Sequence, residues 1–172
     1  MGVRGPGGVL ITGVYGSGKS SVAAEIAYLL GQRRQPYALL DLDYLGWGEG
    51  NFDDHQTRFS LMLSNLAAVA ANYRGAGIGV FVVAWFVRGH DALRVVREAV
   101  GVPLRVVRLT VPLPGIEQRL AADPTSERRD DVREAAASLA SGEGVGVEDV
   151  VIANDRPVPA VAEEILAWLG WL

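Results

Sequence analysis

The 172-residue chain contains no cysteine. Disulfides, thiolate metal sites and cysteine nucleophiles are therefore excluded. No apolar run approaches the roughly 18 residues that mark a membrane-spanning helix. The first residues, Met1 to Gly8, carry no apolar core of the kind a signal peptide needs. A cytoplasmic protein with no membrane partner is expected. Basic charge is also scarce: the net charge is −4. Broad nucleic-acid binding needs a basic face, so no nucleic-acid partner is expected. The scarcest cation is lysine. The chain has 16 Lys and Arg residues, and Lys19 is the one lysine among them. What is present is apolar enough to fold, and the length suits one domain spanning residues 1–172.

Lys19 stands inside Gly13-Val14-Tyr15-Gly16-Ser17-Gly18-Lys19-Ser20. This is a complete phosphate-binding string, Gly-x-x-x-x-Gly-Lys-Ser. Lysine is a flexible point charge, whereas arginine is a rigid fork, so a lone lysine here suits reach toward β- and γ-phosphates. The surroundings agree. Val9 to Thr12 reads as a buried strand, and Ser21 to Leu30 carries apolar residues at helical spacing. Gly16 and Gly18 let backbone N–H groups turn toward phosphate oxygens. A helix starting near Lys19 adds its positive end. Gly13, Tyr15, Gly16, Ser17, Gly18, Lys19, Ser20 and Ser21 are the expected nucleotide contacts, with the Ser20 hydroxyl offered to Mg²⁺.

Strand and helix patterns then alternate. Strands are expected at Tyr37–Leu40, Ile78–Phe86, Leu104–Thr110 and Val150–Ile152. Helices are expected at Asp54–Tyr73, Asp91–Val100, Pro114–Ala122, Val132–Ala140 and Val158–Leu169, with Gly101 ending the second of these. Alternation of this kind implies an α/β fold: a five-stranded parallel sheet with helices on both faces, in three layers. A loop over Asp43–Asp53 and a polar stretch over Asp123–Asp131 stand out. The second reads as a short lid.

Asp41 and Asp43 close the second strand, and alternation along an extended chain puts both on one face. Two carboxylates there suit Mg²⁺ and a substrate hydroxyl; a solvated strand end or a helix cap is the plainer alternative. No metal-assisting Asp follows the third strand, which makes Asp41 the candidate for the metal. Switch GTPases and motor ATPases keep that Asp, so their chemistry is disfavoured. Arg119, Arg128, Arg129 and Arg133 flank the polar stretch. They read either as cations for a phosphoryl-transfer transition state or as a solvated helix face. Arg88, His90, Arg94 and Arg97 form an anionic-substrate pocket or a polar helix surface. Tyr44, Trp47 and Phe52, in a glycine-rich loop, supply flat apolar surface for an acceptor. His55 reads as a surface or capping residue, and Trp168 and Trp171 as packing residues.

In this order, the phosphate loop, Asp41-Leu42-Asp43, Val82 to Arg88, the Arg119 helix with its lid and the Asn154–Val158 turn resemble the small P-loop kinases. The likeness is nearest to adenylylsulfate kinase-like proteins, and extends to shikimate and gluconate kinases and chloramphenicol phosphotransferase. The resemblance implies the three-layer P-loop NTPase fold, ATP and Mg²⁺ as cofactors, and a small-molecule phosphoryl acceptor. It implies that Lys19, Asp43 and Arg128 are catalytic, with Asp41 orienting Mg²⁺ through water and Asp43 touching the acceptor hydroxyl. It also implies Arg119 stacking on adenine, with Asn154, Arg156 and Pro157 bordering that ring. Substrate contacts would come from Asp43, Tyr44, Trp47, Phe52 and Arg88. The chain lacks the arginine that follows the paired acids in adenylylsulfate kinases and the Arg-Pro pair of shikimate kinase lids, so neither acceptor is expected. The implied protein is a monomer or a homodimer. A nucleotide-sensing protein without turnover and a nucleotide kinase are the rival readings.

Overall fold

The computed structural model describes residues 5–48, 54–122 and 129–172. Five strands build the sheet: β1 (Gly7–Thr12), β2 (Ala38–Asp41), β3 (Val80–Ala84), β4 (Leu104–Thr110) and β5 (Val150–Ala153). All pairings are parallel, in the order β2-β3-β1-β4-β5. The helices are α1 (Lys19–Gln32), α2 (Leu42–Leu45), α3 (His55–Gly75), α4 (His90–Val100), α5 (Leu113–Ala122), α6 (Arg129–Ser141) and α7 (Val158–Leu169).

Both faces of the sheet are covered at its centre, which is why β1 and β3 are buried at nearly every position, whereas β2 and β5 toward the edges keep exposed positions. Val9 and Ile11 of β1 pack with Val22, Ile26 and Leu30 of α1 and Val161 and Ile165 of α7. Trp171 and the partly buried Trp168 complete this layer as packing residues. On the opposite face, Leu10, Phe81 and Val83 pack with Leu66 of α3 and Val96 of α4. Ile26 and Leu66 are fully buried, so truncating either to alanine costs about 2–5 kcal/mol. A third cluster, Val14, Val111, Ile116, Leu120 and Ala135, fixes α5 and α6 above the loop after β1.

Register places the chemistry. Ile11 and Asp41 both pair with Ala84. Asp41 therefore lies level with the end of β1, although β3 separates the two strands. The chain exits at Thr12, Asp41 and Ala84 all open on one edge, the carboxyl edge, where doubly wound sheets hold ligands. Thr12 ties two of these exits together, its Oγ1 accepting from Val87 N at 2.9 Å.

Several boundaries differ from expectation. β3 is shorter than Ile78–Phe86: Trp85 keeps a backbone bond to β1, its N donating to Ile11 O, and Phe86 lies beyond the strand. The larger correction is at Asp41 and Asp43. The chain does not stay extended there: Asp41 caps α2, its Oδ1 accepting from Asp43 N at 3.2 Å. Asp43 thus sits in the first turn of a helix, where alternation along a strand no longer applies. Residues 123–128 of the expected lid lie outside the described residues, and its last three, 129–131, open α6.

Candidate active site

The turn from β1 to α1 is shaped by glycines that no other residue replaces easily. Gly18 precedes α1 with φ +91, and Gly13 has φ +141. A Cβ on Gly18 would lie 2.5 Å from Asn154 Nδ2, and one on Gly16 would lie 2.8 Å from Ile116 Cγ2. At these two positions the loop is held between α5 and the segment after β5 with no room for a side chain. Ser17 N donates to Val14 O at 3.1 Å, closing the loop on itself. Lys19 opens α1 and is buried, its Nζ donating to Val14 O at 3.2 Å.

Three acids act on this lysine. Burial pushes the Lys19 ammonium down from its ordinary range; Asp43, then Asp41 and Glu134, pull it back. Burial pushes the Asp43 carboxyl up, Lys19 opposes this, and Asp41 and Glu134 add to it. By surface area Asp43 is open, but its carboxylate stands in a concave wall, and the protein around it is what withholds water. Ser20 Oγ donates to Asp41 Oδ2 at 2.6 Å.

The Ser20 hydroxyl and Asp41 carboxylate are hard oxygen donors beside the phosphate loop, a set that fits Mg²⁺. That ion keeps several waters and takes one or two protein oxygens together with phosphates. No group of three or more His, Cys, Asp or Glu is gathered among the described residues, so phosphate and water would supply the remaining ligands.

On the other side of the loop, Asn154 is almost fully buried. Its Nδ2 donates to Ser17 O at 2.8 Å, and Arg119 Nη1 donates to the same oxygen at 3.2 Å. Arg119 Nη2 also donates to Asn154 O. These contacts hold the Ser17 carbonyl toward α5 and the segment after β5. Arg119, Asn154, Leu120 and Val158 line a hollow of about 360 Å³ bordered by Gly16, Gly18 and Ser21. A second hollow, of about 190 Å³, holds Tyr15, Lys19, Ser20 and Asp43.

Asp43 also lines a third hollow, of about 290 Å³, with Leu42, Gly46, His55, Arg58, Phe59, Met62 and Trp85. Asp43 is common to the loop side and this neighbouring space. His55, Arg58, Phe59 and Met62 follow i, i+3, i+4, i+7 spacing and so share one face of α3. That stripe was the signal available in the sequence, although Arg58 carries no motif of its own.

The remaining candidates fall elsewhere. Arg88 is ion-paired to Glu134 at 2.9 Å and Glu143 at 2.6 Å, and its guanidinium lies 4.9 Å from the Phe86 ring centroid. It ties the exit of β3 to α6 and does not line the Asp43–Trp85 hollow. Tyr44 and Trp47 are strongly exposed and stack on each other at 5.8 Å. Arg156 pairs with Glu164 of α7 at the surface, and Pro157 precedes that helix as its cap. Phe52 and Arg128 lie outside the described residues.

No family model matches the chain, and no curated protein does. Solved structures do. A sugar kinase from Janibacter sp. HTCC2649 superimposes with a TM-score of 0.70 at 21% identity, covering 96% of this chain and 95% of that one. A gluconokinase from Sinorhizobium meliloti 1021 gives 0.64 at 23%, covering 98% and 94%. A tunicamycin resistance protein from Deinococcus radiodurans gives 0.63 at 22%, covering 98% of each. The chain has the fold of the small P-loop kinases.

Proposed function

We propose that this protein transfers the γ-phosphoryl group of ATP to a hydroxyl of a small molecule. The observation that carries the reading is the position of Asp43, which walls both the Lys19 hollow and the space beneath Trp85. A phosphoryl donor on one side and an acceptor on the other would meet at this carboxylate.

The loop N–H groups and Lys19 would hold the phosphates, with the positive end of α1 adding to them. Arg119, Asn154 and Val158 would border the base. Mg²⁺ held at Ser20 and Asp41 would neutralise charge on the β- and γ-oxygens. Asp43 would accept a hydrogen bond from the acceptor hydroxyl. The hydroxyl oxygen forms a bond to the γ-phosphorus, the bond from that phosphorus to the bridging oxygen breaks, and ADP leaves with the electron pair. The hydroxyl proton passes to Asp43. Positioning and electrostatics supply most of such catalysis, because loose transition states need little covalent help.

A phosphate acceptor, as in a nucleotide kinase, finds less support. It needs several guanidinium groups around it, whereas Arg58 is the one arginine lining this hollow among the described residues. Incubation with γ-labelled ATP, Mg²⁺ and pooled hydroxylated compounds tests the reading. Labelled product is expected from the parent protein and is lost in Asp43→Asn. Product formed equally by both would overturn the role given to Asp43.

A further inference from the structure

Resting on the phosphotransfer reading, we propose that the acceptor is a planar ring bearing a hydroxyl, seated against Trp85 and Phe59 with that hydroxyl toward Asp43. The Trp85 and Phe59 rings stack with centroids 5.6 Å apart and planes 13° from parallel. Both are half-buried, and both line the hollow.

The surface they offer is fixed in place. Trp85 N donates to Ile11 O at 3.1 Å, so the residue is anchored where β3 leaves the sheet. Phe59 lies one turn into α3, whose start is capped by Asp54: its carboxylate accepts from Thr57 N and from Thr57 Oγ1, each at 2.7 Å. A rigid flat wall is matched by a flat ring, through offset or edge contacts between π-systems. A saturated polyol is a poor match. It offers no π-system to the wall, and any hydroxyl turned toward the rings would lose water and find no partner.

Size and charge narrow the class further. At about 290 Å³ the hollow is at the small end for ligand sites, which suits one ring system. Its polar side is built from Asp43, Arg58 and His55. With Asp43 turned to the hydroxyl, the Arg58 guanidinium favours a neutral or anionic substituent over a cationic one. Tyr44 and Trp47 are not part of this wall, since they stack on each other away from the hollow.

The test compares two compounds that differ only in ring flatness: 4-(hydroxymethyl)benzoate and trans-4-(hydroxymethyl)cyclohexanecarboxylate. Binding to the full chain is measured by saturation-transfer NMR with Mg²⁺ and a non-hydrolysable ATP analogue present. The aromatic compound is expected to bind about three- to tenfold more tightly, the scale of one ring–ring contact. Trp85→Leu should remove that preference. Phe59→Leu gives an independent check should the first variant fold poorly, as judged by thermal melting. Equal binding of the two compounds overturns the proposal, as does no binding of either or a preference that survives both substitutions. Binding of the ATP analogue alone is measured first and reports on the phosphotransfer reading separately. If the analogue binds and the ring pair is not discriminated, the acceptor class alone fails.

Discussion

Ser20 Oγ donates to Asp41 Oδ2 across 2.6 Å, joining the first turn of α1 to the end of a strand two places away in the sheet. The same carboxylate caps α2 through Asp43 N. One side chain thus aligns the phosphate loop, the expected metal position and the helix that carries Asp43.

Asp41→Asn is expected to raise the Mg²⁺ concentration needed for half-maximal turnover by about 10–100-fold, the usual effect of losing an outer-shell carboxylate. Nucleotide affinity without Mg²⁺ should change little. A magnesium titration followed with a fluorescent ATP analogue measures both. An unchanged midpoint would remove Asp41 from the metal site.

Asp43→Asn should lower kcat by about 10²–10⁴, the range for losing a general base, while the dissociation constant for Mg·ATP stays within a few fold. The two constants separate a role at the reacting hydroxyl from a role in holding nucleotide. Parallel losses in both would show that Asp43 supports the loop instead.

Asn154→Ala removes one of the two donors to the Ser17 carbonyl. Arg119 still reaches that oxygen, so the expected loss is about 0.5–1.5 kcal/mol of stability, read from urea unfolding. Nucleotide affinity should fall several fold, because the loop then holds its N–H groups less firmly. Gly18→Ala should do more harm: its φ of +91 and the Asn154 amide 2.5 Å from the new methyl both oppose it.

A pH-dependent contribution comes from Arg108 and Glu148, paired at 2.9 Å and both largely buried. Burial pushes the Glu148 carboxyl up, but the hydrogen bond and charge of Arg108, with backbone N–H groups, outweigh it and hold the carboxyl below its ordinary range. A lowered folded-state pKa gives stability that is present above the unfolded pKa and lost as pH falls through the folded one. Glu148→Gln should therefore cost about 1.5–3 kcal/mol at neutral pH. The difference should shrink as pH drops below the ordinary Glu value of 4.5. Melting curves of both proteins over that interval measure it; a difference independent of pH would rule out the ion pair as its source.

Much of this was legible in the sequence, because the signals were local. The glycine spacing, the apolar run before it and the helical period after it place the phosphate loop without reference to distant residues. Gly101 ends α4 with φ +70, as a helix-terminating glycine does. What was not legible depends on partners far along the chain. Arg88 meets carboxylates 46 and 55 residues away, and no local pattern announces that pairing. Asn154 braces a loop 137 residues earlier. The turn at Asp41 was misjudged because strand alternation and helix capping compete for the same short string, and the cap prevailed. The wall of the third hollow needs both the stripe on α3 and the strand order that brings Trp85 beside it.

The most direct test of the central claim is calorimetric titration of Mg·ATP into the parent protein and into Lys19→Ala. Lys19 is the single lysine of the chain, and it is buried where the phosphates are expected. Its removal takes away the one ammonium the loop can offer without altering the sheet. The account predicts one bound nucleotide in the parent and an affinity at least tenfold weaker in the variant, with the fold intact by circular dichroism. Equal affinity in the two proteins would contradict it.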